Sequence, residues 1–254
     1  MSLVDRRREL ARAAARAAAC VGLAALLSGC VLTRVFDTLD QLCKAEPPQV
    51  VVAGGAGAPL RVRFAQPTLT RDDVEWLVGL PATRAIPTAD GVRLQYAAAP
   101  ADHATAEEPP LVTDLRFVAV DGEMKLAESI PPAHLAQLVP RELIDRTIAA
   151  ACKPQLSLDP PGARFDIASL DADAFPDRRR VESILGPPHE RDADGTYAYR
   201  FCLLPCAEGT RPLARFAYRF GPDGRLERGD FAYFRYRLIV DRPRGIATLT
   251  LRLS

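Results

Sequence analysis

Cysteine is the residue type whose number and positions in this chain most clearly indicate chemistry. The sequence of 254 residues contains six cysteines. A thiol can be acylated, oxidised to a disulfide or used as a metal ligand. Metal binding is weakly indicated, because no Cys-x-x-Cys pair occurs and the three histidines, His103, His134 and His189, are scattered. We therefore expect no metal and no cofactor, and we favour acylation and disulfide formation.

Cys30 closes a short apolar run near the N-terminus. Residues 17–27 form this run, which follows a region of positive charge made by Arg6, Arg7, Arg8, Arg12 and Arg16. The run has the length of a signal-peptide core and is shorter than the roughly 20 residues that span a bilayer. The segment Leu27-Ser28-Gly29-Cys30 resembles the bacterial lipobox. The alternative is an Ala-rich amphipathic helix in which Cys30 is an ordinary thiol.

The lipobox resemblance implies a location as well as a modification. Residues 1–29 would be removed, and the sulfur of Cys30 would carry a diacylglycerol that anchors a periplasm-facing protein to a membrane. Val31 stands where an Asp would favour the inner membrane, so the resemblance implies the outer membrane. Removal of the leader takes 5 of 33 basic and 2 of 32 acidic residues, which leaves 28 and 30. This balance gives no indication of nucleic-acid binding.

Four cysteines remain once Cys20 leaves with the leader and Cys30 is lipidated. They are Cys43, Cys152, Cys202 and Cys206. An even number in an oxidising compartment indicates two disulfides, for which three pairings exist. We favour Cys202–Cys206 together with Cys43–Cys152, because Pro205 can turn the chain back between the first two.

Two stretches, residues 49–153 and 154–254, share an ordered set of helix and turn signals. In each, a helix ends at a Gly-x-Pro sequence, and strands with Asp-Gly turns follow. The matched pairs are Leu77 and Ile184, Gly79 and Gly186, Pro81 and Pro188, Asp90 and Asp194, Phe117 and Phe220, and Asp121 and Asp223. We therefore predict an α+β fold of two tandem similar domains over these ranges. Each domain would have one or two helices packed on an antiparallel β-meander.

Several local elements can be placed by their end signals. Thr70 and Asp73 predict a capping box for a helix over 71–78 that stops at Gly79. Apolar spacing predicts a helix over 131–152 that is interrupted at Pro140, and alternation predicts a hairpin at the C-terminus. We predict that residues 30–48 are a lipid tether. They would hold either a short amphipathic helix near the membrane or a helix packed on the body.

The second stretch resembles the BamE (SmpA) family of small outer-membrane lipoproteins over residues 175–228. The residues that carry the resemblance are Val181–Pro188, Gly195–Phe201, Arg215–Phe220 and Asp223–Leu226. They would form a helix that ends at Gly-Pro and is followed by a three-stranded meander. The resemblance implies a non-enzymatic protein that supports β-barrel assembly by binding other envelope subunits. A paired arrangement of such units is also similar to the β-lactamase inhibitor proteins, in which two domains clamp an enzyme with a concave sheet.

Aromatic residues alternate along the predicted strands of the second stretch. Tyr197, Tyr199, Tyr218 and Tyr233 either belong to the core face beneath the helices or lie on an open sheet face that binds a partner. We keep them as possible partner-binding residues beside the core interpretation.

The sequence contains no recognised catalytic constellation. It has no Gly-x-Ser-x-Gly or His-Glu-x-x-His motif, and Asp171, Asp173, Asp192 and Asp194 are more typical of turns than of a calcium loop. We therefore expect a membrane-anchored binding or scaffold protein that contacts other envelope proteins and is not an enzyme. The alternative hypotheses are an inhibitor of a periplasmic enzyme and, more remotely, a hydrolase with unrecognised residues.

Overall fold

A computed structural model of the chain describes residues 31, 33–35, 37–44, 49–55, 58–101, 111–152, 157–158, 161–206 and 213–251. The predicted signal peptide and the lipidation candidate Cys30 lie outside the described residues. His103 and the predicted boundary between residues 153 and 154 also lie outside them.

The described residues form one antiparallel sheet of fourteen strands. The strands are β1 (Val50–Gly55), β2 (Ala58–Phe64), β3 (Arg84–Thr88), β4 (Gly91–Pro100), β5 (Leu111–Val120), β6 (Glu123–Ile130), β7 (Ser157–Leu158), β8 (Pro161–Asp166), β9 (Glu190–Arg191), β10 (Tyr197–Leu203), β11 (Ala214–Phe220), β12 (Leu226–Tyr233), β13 (Tyr236–Asp241) and β14 (Ile246–Leu251). Their order is β1-β2-β6-β5-β4-β10-β11-β12-β13-β14-β8-β7, with β3 paired to β4 and β9 to β10.

The predicted fold class, an α+β arrangement of two tandem similar domains, is wrong. Strand β4 of the first stretch pairs with β10 of the second, with Ala98 opposite Leu203 and Ala99 opposite Cys202. One mostly antiparallel β-sheet therefore runs through both stretches, and the described helices are few and short. The physical reason is that an unpaired strand edge exposes backbone hydrogen-bond donors and acceptors. The edge strands of two meanders can pair through these groups. Alternation along each strand does not reveal such a pairing.

Four α-helices are described in addition to an N-terminal helical segment. They are α1 (Arg71–Val78), α2 (Ala133–Leu138), α3 (Arg141–Ala151) and α4 (Arg178–Leu185). The capping box of Thr70 and Asp73 begins α1, and Gly79 ends it at φ 72°, as the sequence predicts. Asp177 caps α4 by accepting from the backbone N–H of Arg180 at 2.8 Å.

Alternation of side chains places the core on the helix-bearing face of the sheet. Leu94, Tyr96 and Phe117 of β4 and β5 are fully buried beside Val74 and Val78 of α1. The aromatic residues of β10 and β11 form a second cluster with Val181 of α4. Burying one face of an antiparallel sheet leaves its other face free for polar residues.

Tyr96→Phe is expected to raise the free energy of unfolding by up to about 1 kcal/mol. The buried hydroxyl of Tyr96 has no hydrogen-bond partner among the described residues, and burial raises the pKa of Tyr96 to about 12. Tyr199→Phe is the matched control, because the Tyr199 hydroxyl donates to the carbonyl of Gly186 at 3.1 Å. That variant should lose about 1 kcal/mol. Urea unfolding would measure both, and a loss at Tyr96 as large as that at Tyr199 would contradict the prediction.

The helical segment at the N-terminus packs on the body instead of forming a free tether. Its described residues are 31, 33–35 and 37–43. Arg34 binds the carboxylate of Asp73 through two hydrogen bonds of 2.5 and 2.6 Å, and Asp73 is only 1% exposed. The hydroxyls of Thr38 and Thr68 are hydrogen-bonded at 2.7 Å. Of the two alternatives left open by the sequence, the structure contains the packed helix.

Both predicted disulfide pairings are confirmed. Cys43 pairs with Cys152 at a Cα–Cα distance of 5.2 Å, and Cys202 pairs with Cys206 at 5.5 Å. The first pair joins the N-terminal helical segment to the end of α3, across 109 residues of sequence. The second closes the short turn after β10.

Candidate functional site

Three of the four tyrosines considered for partner binding are buried in the core. Tyr197, Tyr199 and Tyr218 are 4%, 0% and 1% exposed. Tyr233 is half-buried, and its hydroxyl is hydrogen-bonded to that of Thr113. The partner-binding interpretation of Tyr197, Tyr199 and Tyr218 is therefore wrong, because their face of the sheet is covered. The core interpretation is confirmed for these three.

The opposite face of the same sheet is rich in arginine. Cross-strand partners of an antiparallel sheet share a face, so the register fixes which residues lie together. We call this surface the arginine face and define it by Arg61, Arg63, Arg93, Arg116, Arg164, Arg200, Arg215, Arg219, Arg228 and Arg237. Side chains alternate between the two faces of a strand, so the alternation that places the tyrosines in the core places these arginines on the opposite face. That alternation was the signal in the sequence that could have indicated them.

Acidic neighbours neutralise the arginine face over β2, β4, β5 and β6. Glu128 accepts from Arg63 at 2.8 Å and from Arg61 at 3.3 Å. Burial opposes ionisation of Glu128, but the two arginines more than offset it and hold its pKa below the usual value. Arg116 pairs with Asp90 at the neighbouring turn. This half of the face therefore carries little uncompensated charge.

Positive charge is in excess over β10, β11, β12 and β13. Arg237 binds Asp230 through hydrogen bonds of 2.8 and 2.5 Å, and Arg200 pairs with Glu190 at 2.5 Å. The exposed side chains of Arg215 and Arg228 have no acidic oxygen within 4 Å among the described residues. These two arginines form no ion pair within that distance, as is also true of Arg164 on β8, and the cross-strand partner of Arg228 is Asp241.

Asp230 interacts electrostatically with both Arg215 and Arg228. Its cross-strand partner on β11 is Ala217. Two residues away on each strand, Arg228 of β12 pairs with Arg219 of β11. Burial opposes ionisation of Asp230. Hydrogen bonds from Arg237 and the charges of Arg237, Arg215 and Arg228 more than offset the burial, so the pKa of Asp230 lies below its usual value. Arg237 contributes most to this lowering, and Arg215 and Arg228 contribute less.

Small residues form the floor between these arginines. Ala198 and Ala217 face each other across β10 and β11 and are 1% and 7% exposed. Long arginine side chains can cover such positions with their aliphatic stems while their guanidinium groups reach water. The result is a surface with several planar donor groups, which suits carboxylates presented by another molecule.

Elsewhere the described residues offer no comparable site. A cavity of about 360 Å³ is lined by Arg164, Asp166 and Arg244 with apolar neighbours, and another of about 210 Å³ by Asp223, Arg225 and Glu227. Neither brings together a nucleophile and a base. Within the described ranges no group of three His, Cys, Asp or Glu residues could hold a metal ion.

The four aspartates considered for a calcium loop lie in turns. Asp171 accepts from the backbone N–H of Asp173 at 3.0 Å, and Asp194 accepts from that of Thr196 at 3.2 Å. Hydrogen bonds from Thr196 lower the pKa of Asp194. Asp192 donates its backbone N–H to the carbonyl of Thr196 at 3.0 Å. These contacts agree with the turn interpretation.

Comparisons with family models, curated proteins and solved structures find no match for this chain. The resemblance to the BamE (SmpA) family therefore stays a prediction. Among the described residues, no helix has both the length and the apolar character needed to cross a membrane.

Proposed function

We propose that this chain is a lipid-anchored outer-membrane protein that faces the periplasm and binds an acidic protein surface through the arginine face. It acts by binding and not by catalysis. The observation that carries the proposal is that Arg215 and Arg228 are exposed on the arginine face and form no ion pair with any of the described residues. Charge of one sign on an open surface raises the rate at which oppositely charged partners associate.

The location is supported by the leader and by the cysteines. The lipobox-like segment ends at Cys30, and the leader before it has the basic and apolar regions of a signal peptide. The other cysteines outside the leader form two disulfides, which persist in oxidising compartments such as the periplasm.

The chemistry of the partner follows from the guanidinium groups. Arginine binds carboxylates in a planar, bidentate geometry, and it is enriched at the centres of protein interfaces. The resemblance to the BamE (SmpA) family favours subunits of β-barrel assembly as the proteins that present those carboxylates. Anchoring through Cys30 would keep the arginine face in the compartment where such subunits work.

Arg215→Glu with Arg228→Glu is expected to reduce recovery of the partner by about tenfold or more, or about 1.4 kcal/mol of binding free energy. The measurement is in-cell crosslinking followed by purification through a tag at Ser254. The matched control is Arg179→Glu with Arg180→Glu, which makes the same charge change at exposed positions of α4, on the covered side of the sheet. Recovery of the partner should also fall as the salt concentration rises.

Each outcome of this experiment has a clear meaning. Recovery of envelope-assembly subunits that is lost in the first variant and kept in the control supports the proposal. Equal loss in both variants would show that net charge matters and the arginine face does not. Recovery of one periplasmic enzyme, inhibited by the purified protein, would replace the scaffold proposal by the inhibitor hypothesis.

A further inference from the structure

The described part of the N-terminal helical segment starts one residue after Cys30 in the sequence and is fixed to the body. Val31, the residue that follows Cys30 in the sequence, is helical. Three residues later Arg34 is fixed to the buried carboxylate of Asp73 in α1. An anchor on Cys30 would therefore hold the adjacent end of the body against the membrane.

The chain's single tryptophan lies at this end of the body. Trp76 is 39% exposed and is one of the few large hydrophobic side chains of the described residues that reach the surface. It is three residues from Asp73 in α1, and residues at that spacing are neighbours on a helix. Trp76 therefore projects close to the contact that fixes Arg34.

A guanidinium group covers part of the tryptophan ring. The Cζ atom of Arg235, in the turn between β12 and β13, lies 5.1 Å from the centre of the Trp76 ring. Trp76 and Arg235 thus form a patch that combines an amphipathic indole with guanidinium donors that suit phosphate oxygens.

We infer that the patch formed by Trp76 and Arg235 rests on the phospholipid headgroups of the membrane that holds Cys30. This inference depends on the lipidation in the proposed function. Tryptophan is favoured at the depth of the headgroups, where one part of its ring is apolar and its N–H can be hydrogen-bonded. The short stretch of chain between Cys30 and Arg34 keeps the patch close to the membrane. The patch therefore needs little affinity of its own for the headgroups. The body is consequently held in one orientation.

Tryptophan fluorescence tests the inference directly, because Trp76 is the only tryptophan of the chain. The full acylated protein is purified and reconstituted into vesicles of phosphatidylethanolamine and phosphatidylglycerol, with and without brominated acyl chains that quench indole emission. We expect about a twofold loss of Trp76 emission in the brominated vesicles. Mass analysis of the mature N-terminus is done on the same sample and reports the lipid on Cys30 independently.

The matched control moves the tryptophan to the other side of the sheet. Trp76→Phe with Val118→Trp places the indole on β5, on the arginine face, away from α1. This variant should retain its emission in brominated vesicles. Acylated Cys30 with unquenched Trp76, or equal quenching of both proteins, would overturn the inference and leave the proposed function intact. Absence of acylation at Cys30 would overturn the proposed location and, with it, the inference.

Discussion

Replacement of Cys43 and Cys152 by alanine together will lower the free energy of unfolding by about 5 kcal/mol. The disulfide joins residues 109 apart in the sequence, and closure of so long a loop removes much of the entropy of the unfolded chain. The same change frees the end of the N-terminal helical segment from α3. Denaturation by guanidinium chloride would measure the loss.

The Cys202–Cys206 bridge provides the comparison for this prediction. It closes a separation of only four residues, so its replacement by two alanines should cost about 2 kcal/mol on the same entropic model. Treatment of the unmodified protein with a reductant should reproduce the sum of the two losses. Equal losses in the two double variants would show that chain entropy is not the source of the stabilisation.

Local signals in the sequence predicted the elements well, because each depends on residues close in sequence. The helix over 71–78 begins at the capping box of Thr70 and Asp73 and ends at a glycine with positive φ, and the break at Pro140 separates α2 from α3. The alternation of apolar residues near the C-terminus predicted the hairpin of β13 and β14, which the structure contains.

Long-range pairing is what the sequence could not supply. Nothing in the alternation of β4 or β10 indicates that Ala99 faces Cys202, and this pairing turns two expected sheets into one. The sequence left the face assignment open for a related reason. Period-2 alternation shows that tyrosines and arginines are on opposite faces of β10 and β11, but it does not say which face the helices cover. Burial of Tyr199 and Tyr218 decides this and leaves the arginines as the candidate site.

The second large effect is expected at the ion pair that docks the N-terminal helical segment. Arg34→Ala should lower the free energy of unfolding by about 3 kcal/mol at pH 7. The variant leaves the carboxylate of Asp73 buried, with the backbone N–H of Thr70 at 2.8 Å as a remaining donor. A buried charge without its partner costs more than the pair itself contributes. Arg34→Ala with Asp73→Asn removes that charge and should recover about half of the loss.

The dependence on pH separates the buried charge from simple loss of packing. In the unmodified protein, burial opposes ionisation of Asp73, but hydrogen bonds from Arg34 and Thr70 hold its pKa below the usual value of an aspartate. Its contribution is therefore present above about pH 4 and is lost as the pH falls through the folded pKa. Without Arg34, burial is offset only by the hydrogen bonds from Thr70, so we expect the pKa of Asp73 to be higher than in the unmodified protein and protonation to relieve part of the penalty as the pH falls.

The difference in stability between the unmodified protein and Arg34→Ala should consequently shrink from about 3 kcal/mol at pH 7 to about 1 kcal/mol near pH 4. Urea unfolding at a series of pH values would measure it. The double variant Arg34→Ala with Asp73→Asn has no carboxylate at this position, so this contribution to its stability should not change with pH. A loss in Arg34→Ala that is constant from pH 7 to pH 4 would mean that Arg34 stabilises the protein through packing alone. The ion pair would then not be what holds the N-terminal helical segment, and with it the residue next to Cys30, against α1.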